Sequence, residues 1–261
     1  MLAERYLNGE YLAQVPDWHA ADAPWKAQKV LELLQRNGVA PRTVCDVGCG
    51  SGEILVQLQG RLPKGARLTG YDISGQALSL CRPKENAHLC FRQADLTREP
   101  PQVSFELLLC LDVFEHVPDY LGFLHALRQR ADLFAFHIPL DLSVHTVARA
   151  SRHLLQMRER YGHLHYFTAE TALATLAQTG FEVVDSLYTW DHAGGLFPPR
   201  APGLRGVVRY PLRFGAHLAE RLAFRVAPDV TARFRPAYNL LVLARPAEDG
   251  PDERARAREA A

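Results

Sequence analysis

The feature that most constrains this chain is a glycine-rich turn, V-C-D-V-G-C-G-S-G-E-I, at residues 44–54. Apolar residues before the glycines predict a buried strand, and the residues after them return to helical spacing as far as Leu62. A helix that begins near Ser51 would direct its free amide groups at the turn. The stretch therefore predicts a ligand-binding loop between a strand and a helix.

The spacing of the glycines argues against two common phosphate-binding loops. A dinucleotide fingerprint, G-x-G-x-x-G, needs glycine at position 53, which is glutamate, and a phosphate loop needs a lysine after Gly52. Asp46 and Glu53 would also repel a phosphate at the start of the helix. A cationic or zwitterionic ligand tolerates these acids, and a sulfonium amino acid joined to a nucleoside has that character.

The rest of the chain alternates apolar strands with helices, which predicts an α/β fold with a parallel sheet covered on both faces. Predicted strands follow the first one at residues 66–72, 87–95, 105–113, 131–139, 181–188 and 238–246. Predicted helices lie at residues 24–37, 74–81, 117–129 and 167–180, the last with a capping pattern at Thr168.

Acidic residues recur where these strands end. Asp72 ends the second strand, where a carboxylate can accept hydrogen bonds from both hydroxyls of a ribose. Asp95 follows the third strand and is placed to accept a hydrogen bond from an adenine amino group, with Ile73 and Leu96 as apolar contacts to the ring. Each single acid has an alternative interpretation as a helix cap.

In this order, the motifs resemble those of class I S-adenosylmethionine-dependent methyltransferases: V-C-D-V-G-C-G-S-G-E-I, T-G-Y-D-I-S, F-R-Q-A-D-L and L-L-L-C-L-D-V-F-E-H-V. The resemblance covers residues 44–117 and extends over the later strands to about residue 245. It implies a Rossmann-like three-layer sandwich around a seven-stranded, mostly parallel sheet with an antiparallel last strand. It also implies S-adenosylmethionine as cofactor, S-adenosylhomocysteine as product, and these cofactor-binding residues: Asp46, Gly48, Cys49, Gly50, Asp72, Ile73, Ala94, Asp95, Leu96, Leu111 and Asp112.

The segment D-W-H-A-A-D-A-P-W-K-A, at residues 17–27, is similar to an entry segment of bacterial members that folds over the cofactor. Lys26 would then meet the cofactor's carboxylate. The alternative is that Trp18 and Trp25 are packing residues and that Lys26 is a solvated helix charge.

The predicted organisation is one methyltransferase domain at residues 1–245, followed by a disordered tail at 246–261. Within the domain, residues 1–40 form an N-terminal cap and helix, and residues 192–236 form a basic insertion between the last two strands. Arginines alternate with apolar residues at 205–225 of this insertion, which is a candidate for peripheral membrane contact or for covering a pocket. We favour a packed surface helix with a solvated arginine face.

The predicted function is methyl transfer to a small-molecule acceptor, with oxygen preferred as the acceptor atom. Because the reaction is an in-line displacement, alignment supplies most of the catalysis, and a base helps only some acceptors. His137, at the end of the fifth strand, is the first candidate base, followed by His116 and His165, with His163 also among the candidates. His163 and His165 alternate in the segment G-H-L-H-Y-F-T, residues 162–168, so both would face one way in an extended chain; the alternative is that both are polar pocket wall. The alternatives are a cofactor-binding protein without turnover, a lipid-linked or protein acceptor, and a nicotinamide oxidoreductase, which Glu53 disfavours.

A divalent metal is a secondary alternative. Asp112, Glu115 and His116 resemble the acid, acid and histidine set that ubiquinone-pathway O-methyltransferases use to hold a cation near a phenol. The E-H-V sequence at this place is also widespread among relatives not thought to use metal. We therefore assign no metal ligand.

Composition narrows the partners and the compartment. The 261 residues carry a formal net charge of +1, which disfavours nucleic acid as substrate. The N-terminus lacks a continuous apolar segment, so we expect a cytoplasmic protein. Five cysteines without a C-x-x-C pair are expected to be reduced core thiols. The oligomeric state is not predicted.

Overall fold

The structure is a computed structural model that describes residues 4–18, 20–149, 152–190, 204–235 and 238–248. A seven-stranded sheet forms its centre, in the order β3-β2-β1-β4-β5-β7-β6. The strands are β1 (Thr43–Val47), β2 (Arg67–Asp72), β3 (Leu89–Gln93), β4 (Phe105–Leu111), β5 (Ala131–Pro139), β6 (Phe181–Trp190) and β7 (Tyr238–Pro246). The pairs among β1 to β5 are parallel, and β7 lies antiparallel between β5 and β6. The predicted Rossmann-like sheet with an antiparallel last strand is confirmed.

Helices cover both faces of the sheet. They are α1 (Glu4–Leu7), α2 (Glu10–Gln14), α3 (Ala23–Arg36), α4 (Glu53–Gln59), α5 (Gly75–Cys81), α6 (Tyr120–Leu127), α7 (Val144–Ala148), α8 (Arg152–Arg160), α9 (Ala169–Gln178), α10 (Leu204–Val226) and α11 (Pro228–Phe234). No helix in the described ranges is long and apolar enough to cross a membrane.

Strand β4 shows why the central strands are almost continuously hydrophobic. Leu107 and Leu109 belong to the apolar cluster on one face of the sheet, and Leu108 and Cys110 belong to the cluster on the other face. All four residues are fully buried. Because successive side chains alternate between two buried faces, the strand has no polar face. Removing one such leucine side chain should cost about 2–5 kcal/mol.

The element boundaries differ from the sequence predictions in small ways. Helix α4 begins at Glu53 and not near Ser51, because the turn continues through Gly52, whose φ is +73°. The capping pattern at Thr168 is confirmed, since its hydroxyl accepts a hydrogen bond from the Thr171 amide. Cys90 is exposed on the edge strand β3, whereas the other four cysteines are buried.

Some predicted regions fall partly outside the described residues. These are the first part of the basic insertion, at 192–203, and residues 249–261 of the predicted tail. The side chains of Arg205, Arg209 and Arg213 also lie outside the described part, although α10 includes their backbone. The domain boundaries therefore stay predictions.

Candidate active site

A cavity of about 790 Å³ opens where the carboxyl ends of the parallel strands meet. Its volume is typical of small-molecule sites, which enclose roughly 300–1,000 Å³. All of the predicted cofactor-binding residues line it: Asp46, Gly48, Cys49, Gly50, Asp72, Ile73, Ala94, Asp95, Leu96, Leu111 and Asp112. Among the described residues, Lys26 is the only lysine or arginine in the lining, so acids dominate its charge.

Two glycines of the glycine-rich turn are required by their backbone conformation and by closely packed neighbouring side chains. Gly50 has a φ of +53°, and a Cβ atom there would overlap Cδ1 of Trp18. At Gly48, with a φ of +69°, a Cβ atom would lie 2.8 Å from Cγ2 of Val113. Both conformations belong to the left-handed region that favours glycine. Side chains of the protein itself therefore approach the turn closely, beside the space left for a ligand.

Asp72 holds this turn against the end of β2. Its Oδ2 accepts a hydrogen bond from the Gly50 amide at 2.9 Å, and its Oδ1 accepts one from the Ser74 amide at 2.8 Å. Burial raises the pKa of Asp72, and the backbone hydrogen bonds oppose that rise. A carboxylate has about four acceptor positions, so two remain for ribose hydroxyls.

Two further predicted acids differ in their surroundings. Asp46 is only 3% exposed, and burial together with the charge of Asp72 raises its pKa to about 8, against the lowering effect of Lys26. Asp95 caps a short helical turn by accepting hydrogen bonds from the amide and hydroxyl of Thr97. Asp95 is thus both a helix cap and a residue of the cavity wall.

A chain of hydrogen bonds crosses the site from Lys26 to Thr189. Lys26 Nζ lies 2.6 Å from Asp112 Oδ2, Asp112 Oδ1 lies 2.6 Å from His137 Nδ1, and His137 Nε2 lies 2.8 Å from the Thr189 hydroxyl. Burial favours the neutral form of Asp112, but the charges of His137 and Lys26 outweigh it and hold the pKa of Asp112 well below its usual range. Asp112 also has a φ of +55°, a conformation that costs a non-glycine residue roughly 1–3 kcal/mol.

The hydrogen-bonded series from Lys26 to Thr189 bears on two expectations. His137 lines the cavity, but both of its ring nitrogens are engaged, so the geometry disfavours it as the base that takes an acceptor's proton. Lys26 is not a solvated surface charge, because it is largely buried against Asp112. Asp112 thus takes one of the ammonium donors that were expected to meet the cofactor's carboxylate, and Lys26 also lines the cavity.

His163 and His165 do not face the same way. His163 lines the cavity, whereas His165 is not among its lining residues and its Nε2 lies 3.0 Å from the Val117 carbonyl oxygen. The expectation assumed an extended chain, but the consecutive amides of Leu164 and His165 both donate to the carbonyl of Glu115. This bend breaks the alternation, and the structure places His165 outside the site.

A second cluster of polar side chains lies away from the glycine turn. His163 Nδ1 lies 2.5 Å from Asp141 Oδ2, and its ring packs edge-on against His116 at 4.9 Å. Tyr6, from the N-terminal cap, also packs edge-on against His116 at 6.0 Å. The sequence made His163 a candidate with pocket wall as its alternative, but Asp141 was missed; an acid two residues beyond β5, at the edge where the strands end, was the available signal.

Glu115 is the least satisfied group in this cluster. It is fully buried, and neither of its carboxyl oxygens has a hydrogen-bond partner among the described residues. Burial, followed by the charge of Asp112, raises the pKa of Glu115 well above its ordinary value. Burial therefore favours the neutral form of this carboxyl group.

The predicted metal set is not the set that the structure brings together. Glu115, His116 and His163 each offer a ligand atom, and these atoms lie within 4.8 Å of one another. Asp112 does not belong to this group, and its two oxygens instead contact Lys26 and His137. The unpartnered oxygens of Glu115 and two imidazoles would suit a divalent cation, which would have to ionise Glu115 first.

A comparison with protein families assigns the chain. A family model described as a methyltransferase domain matches residues 18–186. The chain belongs to this methyltransferase family. The matched range contains the glycine turn, the acids at the strand ends and the polar cluster around His163.

Curated relatives match over part of the chain only. The chain is 31% identical over 129 residues to a ubiquinone biosynthesis O-methyltransferase of Xanthomonas campestris pv. campestris (strain B100), which covers 45% of this chain and 52% of that protein. It is 32% identical over 103 residues to a demethylmenaquinone methyltransferase of Deinococcus radiodurans, covering 38% and 41%. The chain thus spans about half or less of the length of these relatives.

Solved structures share the fold at low identity. The magnesium protoporphyrin IX methyltransferase of Synechocystis PCC 6803, with bound S-adenosylhomocysteine, has a TM-score of 0.54 and 18% identity, covering 85% of this chain and 83% of that one. An N-methyltransferase of Bradyrhizobium japonicum WM9, in complex with the same compound, has a TM-score of 0.53 and 15% identity, covering 88% and 92%. The prediction of an S-adenosylmethionine-dependent methyltransferase is confirmed at the level of the family, and the roles of single residues stay predictions.

Proposed function

We propose that this protein transfers the methyl group of S-adenosylmethionine to an oxygen of a small-molecule acceptor. The cavity lining contains two sets of residues that would serve the two substrates of such a reaction. The glycine turn with Asp46, Asp72 and Asp95 forms the acidic part, and His116, Asp141 and His163 form the other part. Methyl transfer from a sulfonium needs the two substrates in line and no covalent enzyme intermediate.

The acidic part suits the cofactor. Its carboxylates lie near the positions where a sulfonium and an ammonium group would bind, and Asp72 keeps acceptor capacity for a ribose. We assign the cofactor-binding role to the eleven predicted residues on this basis. Lys26 contributes by holding Asp112 ionised, so that a negative charge persists at the boundary between the two parts.

The hydrogen-bonded pair of His163 and Asp141 is the observation that carries the choice of oxygen. With its Nδ1 proton donated to Asp141, His163 presents Nε2 as an acceptor, which is the form that takes a proton from a hydroxyl. Asp141 fixes the tautomer and stabilises the imidazolium that forms. Such a positioned base contributes roughly 10²–10⁴-fold to a rate. An acceptor with a weakly acidic hydroxyl benefits from it, whereas a carboxylate acceptor does not.

His116, the second of the predicted candidates, lies against His163 and stays a candidate near the acceptor. The names of the relatives include an O-methyltransferase, which agrees with the choice of oxygen but does not determine it. The cytoplasmic location and the exclusion of nucleic acid stay predictions.

The test is to measure S-adenosylhomocysteine release with a panel of phenols, alcohols, carboxylates and amines. For the best acceptor, His163→Gln and Asp141→Asn are expected to lower kcat by roughly 10²–10⁴-fold. Binding of S-adenosylhomocysteine should change less than about threefold in both variants. His165→Gln is the matched control, because this histidine lies outside the cavity, and it should keep kcat within about threefold.

Different outcomes separate the alternatives. Turnover of amines but not of hydroxyl compounds would contradict the choice of oxygen and keep the methyltransferase. Cofactor binding without turnover of any acceptor, including lipid-linked compounds and protein extracts, would favour a cofactor-binding protein. Equal loss of activity in His165→Gln and His163→Gln would remove the assigned base.

A further inference from the structure

The outer surface of α10 and α11 carries a row of exposed apolar side chains. Leu218, Leu222, Val226, Val230 and Phe234 are 48%, 54%, 87%, 49% and 56% exposed. They are spaced four residues apart, so within each helix they lie on one face. We call these five residues the apolar stripe. Patches of this kind on a protein surface mark sites of interaction.

The opposite side of α10 is packed against the protein, which fixes the stripe toward the outside. The ring of Phe224 stacks on Tyr238 at 4.9 Å and meets Trp190 edge-on at 5.7 Å. The guanidinium of Arg221 lies 4.9 Å over the ring of Trp190, and Glu220 accepts a hydrogen bond from the Tyr238 hydroxyl. The helix is therefore the packed surface helix that we favoured. The face expected to carry solvated arginines is largely apolar over residues 214–226, with Arg225 exposed beside the stripe.

The positive charge of the segment that carries the stripe favours an anionic partner for this surface. Residues 204–235 contain seven arginines against two acids, so the segment carries +5 while the rest of the chain carries −4, for the total of +1. A second copy docked through this face would bring two strongly basic segments together, which is unfavourable. Basic helices with leucine, valine and phenylalanine on one face are typical of anionic membrane surfaces, in which they lie without crossing.

We propose that the apolar stripe and its arginines dock this protein on an anionic lipid surface. The docking proposal does not rest on the proposed function, because lipid binding is measured without cofactor or acceptor.

Flotation of the full chain with vesicles tests the proposal. The protein is expected to float with phosphatidylglycerol–phosphatidylcholine vesicles and to remain unbound in the presence of pure phosphatidylcholine vesicles. High salt should release it from the anionic vesicles. The double variant Leu222→Ser/Val226→Ser should lose at least about tenfold in partitioning, and Arg225→Gln about fivefold. Leu155→Ser is the matched control, since Leu155 is a leucine on α8, away from the stripe, that is 56% exposed, and it should float as the unchanged protein does.

Three results would overturn the proposal. These are no flotation with anionic vesicles, equal flotation with both kinds of vesicle, or equal flotation of the stripe variant and the unchanged protein. Light scattering tests whether a second copy of the chain occupies this face instead. A dimer that the stripe variant converts to a monomer would assign the face to that second copy. Thermal melting of each variant ensures that a loss of flotation does not reflect unfolding, since all substituted side chains are exposed.

Discussion

Asp46 is expected to release a proton when the cofactor binds. Its pKa of about 8 in the free protein results from burial and from the nearby charge of Asp72, opposed by Lys26. At pH 7, roughly 0.9 of the molecules therefore carry the proton on Asp46. The positive groups of S-adenosylmethionine beside this carboxyl favour its ionised form. Binding should then release about 0.9 proton at pH 7 and only about 0.1 at pH 9.

Calorimetric titration in buffers with different ionisation enthalpies measures this number directly. The slope of the observed binding enthalpy against the buffer's ionisation enthalpy gives the protons released per cofactor bound. Asp46→Asn is the matched control, because it keeps the shape of the side chain and removes its titration. The difference between the two slopes isolates Asp46 from any proton taken up by the cofactor's own amino group. Equal slopes in the two proteins at pH 7 would refute the reasoning.

Two further predictions concern stability. Gly50→Ala should lower both the melting temperature and the affinity for S-adenosylhomocysteine, since φ of +53° costs an alanine roughly 1–2 kcal/mol and the new Cβ would meet Trp18. Gly60→Ala is the control, because Gly60 has a φ of −80° and a Cβ there would have no atom within 4 Å. Equal effects of the two substitutions would contradict the packing argument. The pKa of Glu115 is raised, so its contribution to stability is present below the unfolded pKa and is lost as the pH rises toward the folded pKa. Glu115→Gln should therefore gain stability over the unchanged protein as the pH rises from 5 to 8, by up to about 1.4 kcal/mol per pH unit; a difference in melting temperature that is constant with pH would contradict this assignment.

The sheet and the acidic half of the site were predictable because they follow from local patterns. Alternating apolar strands and helices indicate a parallel sheet, and parallel strands bring their carboxyl ends to one edge. Asp46, Asp72 and Asp112 each lie at or just beyond such an end, and all three line the cavity. The four motifs, in their order along the chain, further indicated S-adenosylmethionine as the ligand.

The acceptor half depends on contacts between distant residues, which local periodicity does not encode. The bond that engages His137 comes from Thr189, 52 residues away, and the partner of His163 lies 22 residues before it. The carbonyl of Glu115 holds the bend at Leu164 by accepting two amide hydrogen bonds. No feature of the segment G-H-L-H-Y-F-T predicts this long-range contact. Likewise, nothing near Gly50 indicates that Trp18 fills the space above it.

The central claim is that the cavity at the strand ends binds S-adenosylmethionine. Titration of the full chain with S-adenosylmethionine, S-adenosylhomocysteine and NAD tests it most directly, with Asp72→Ala as the variant that removes the carboxylate holding the Gly50 amide. We predict micromolar binding of the first two compounds, loss of that binding in the variant, and no binding of NAD. Binding of NAD in their place, or unchanged binding in the variant, would contradict the account.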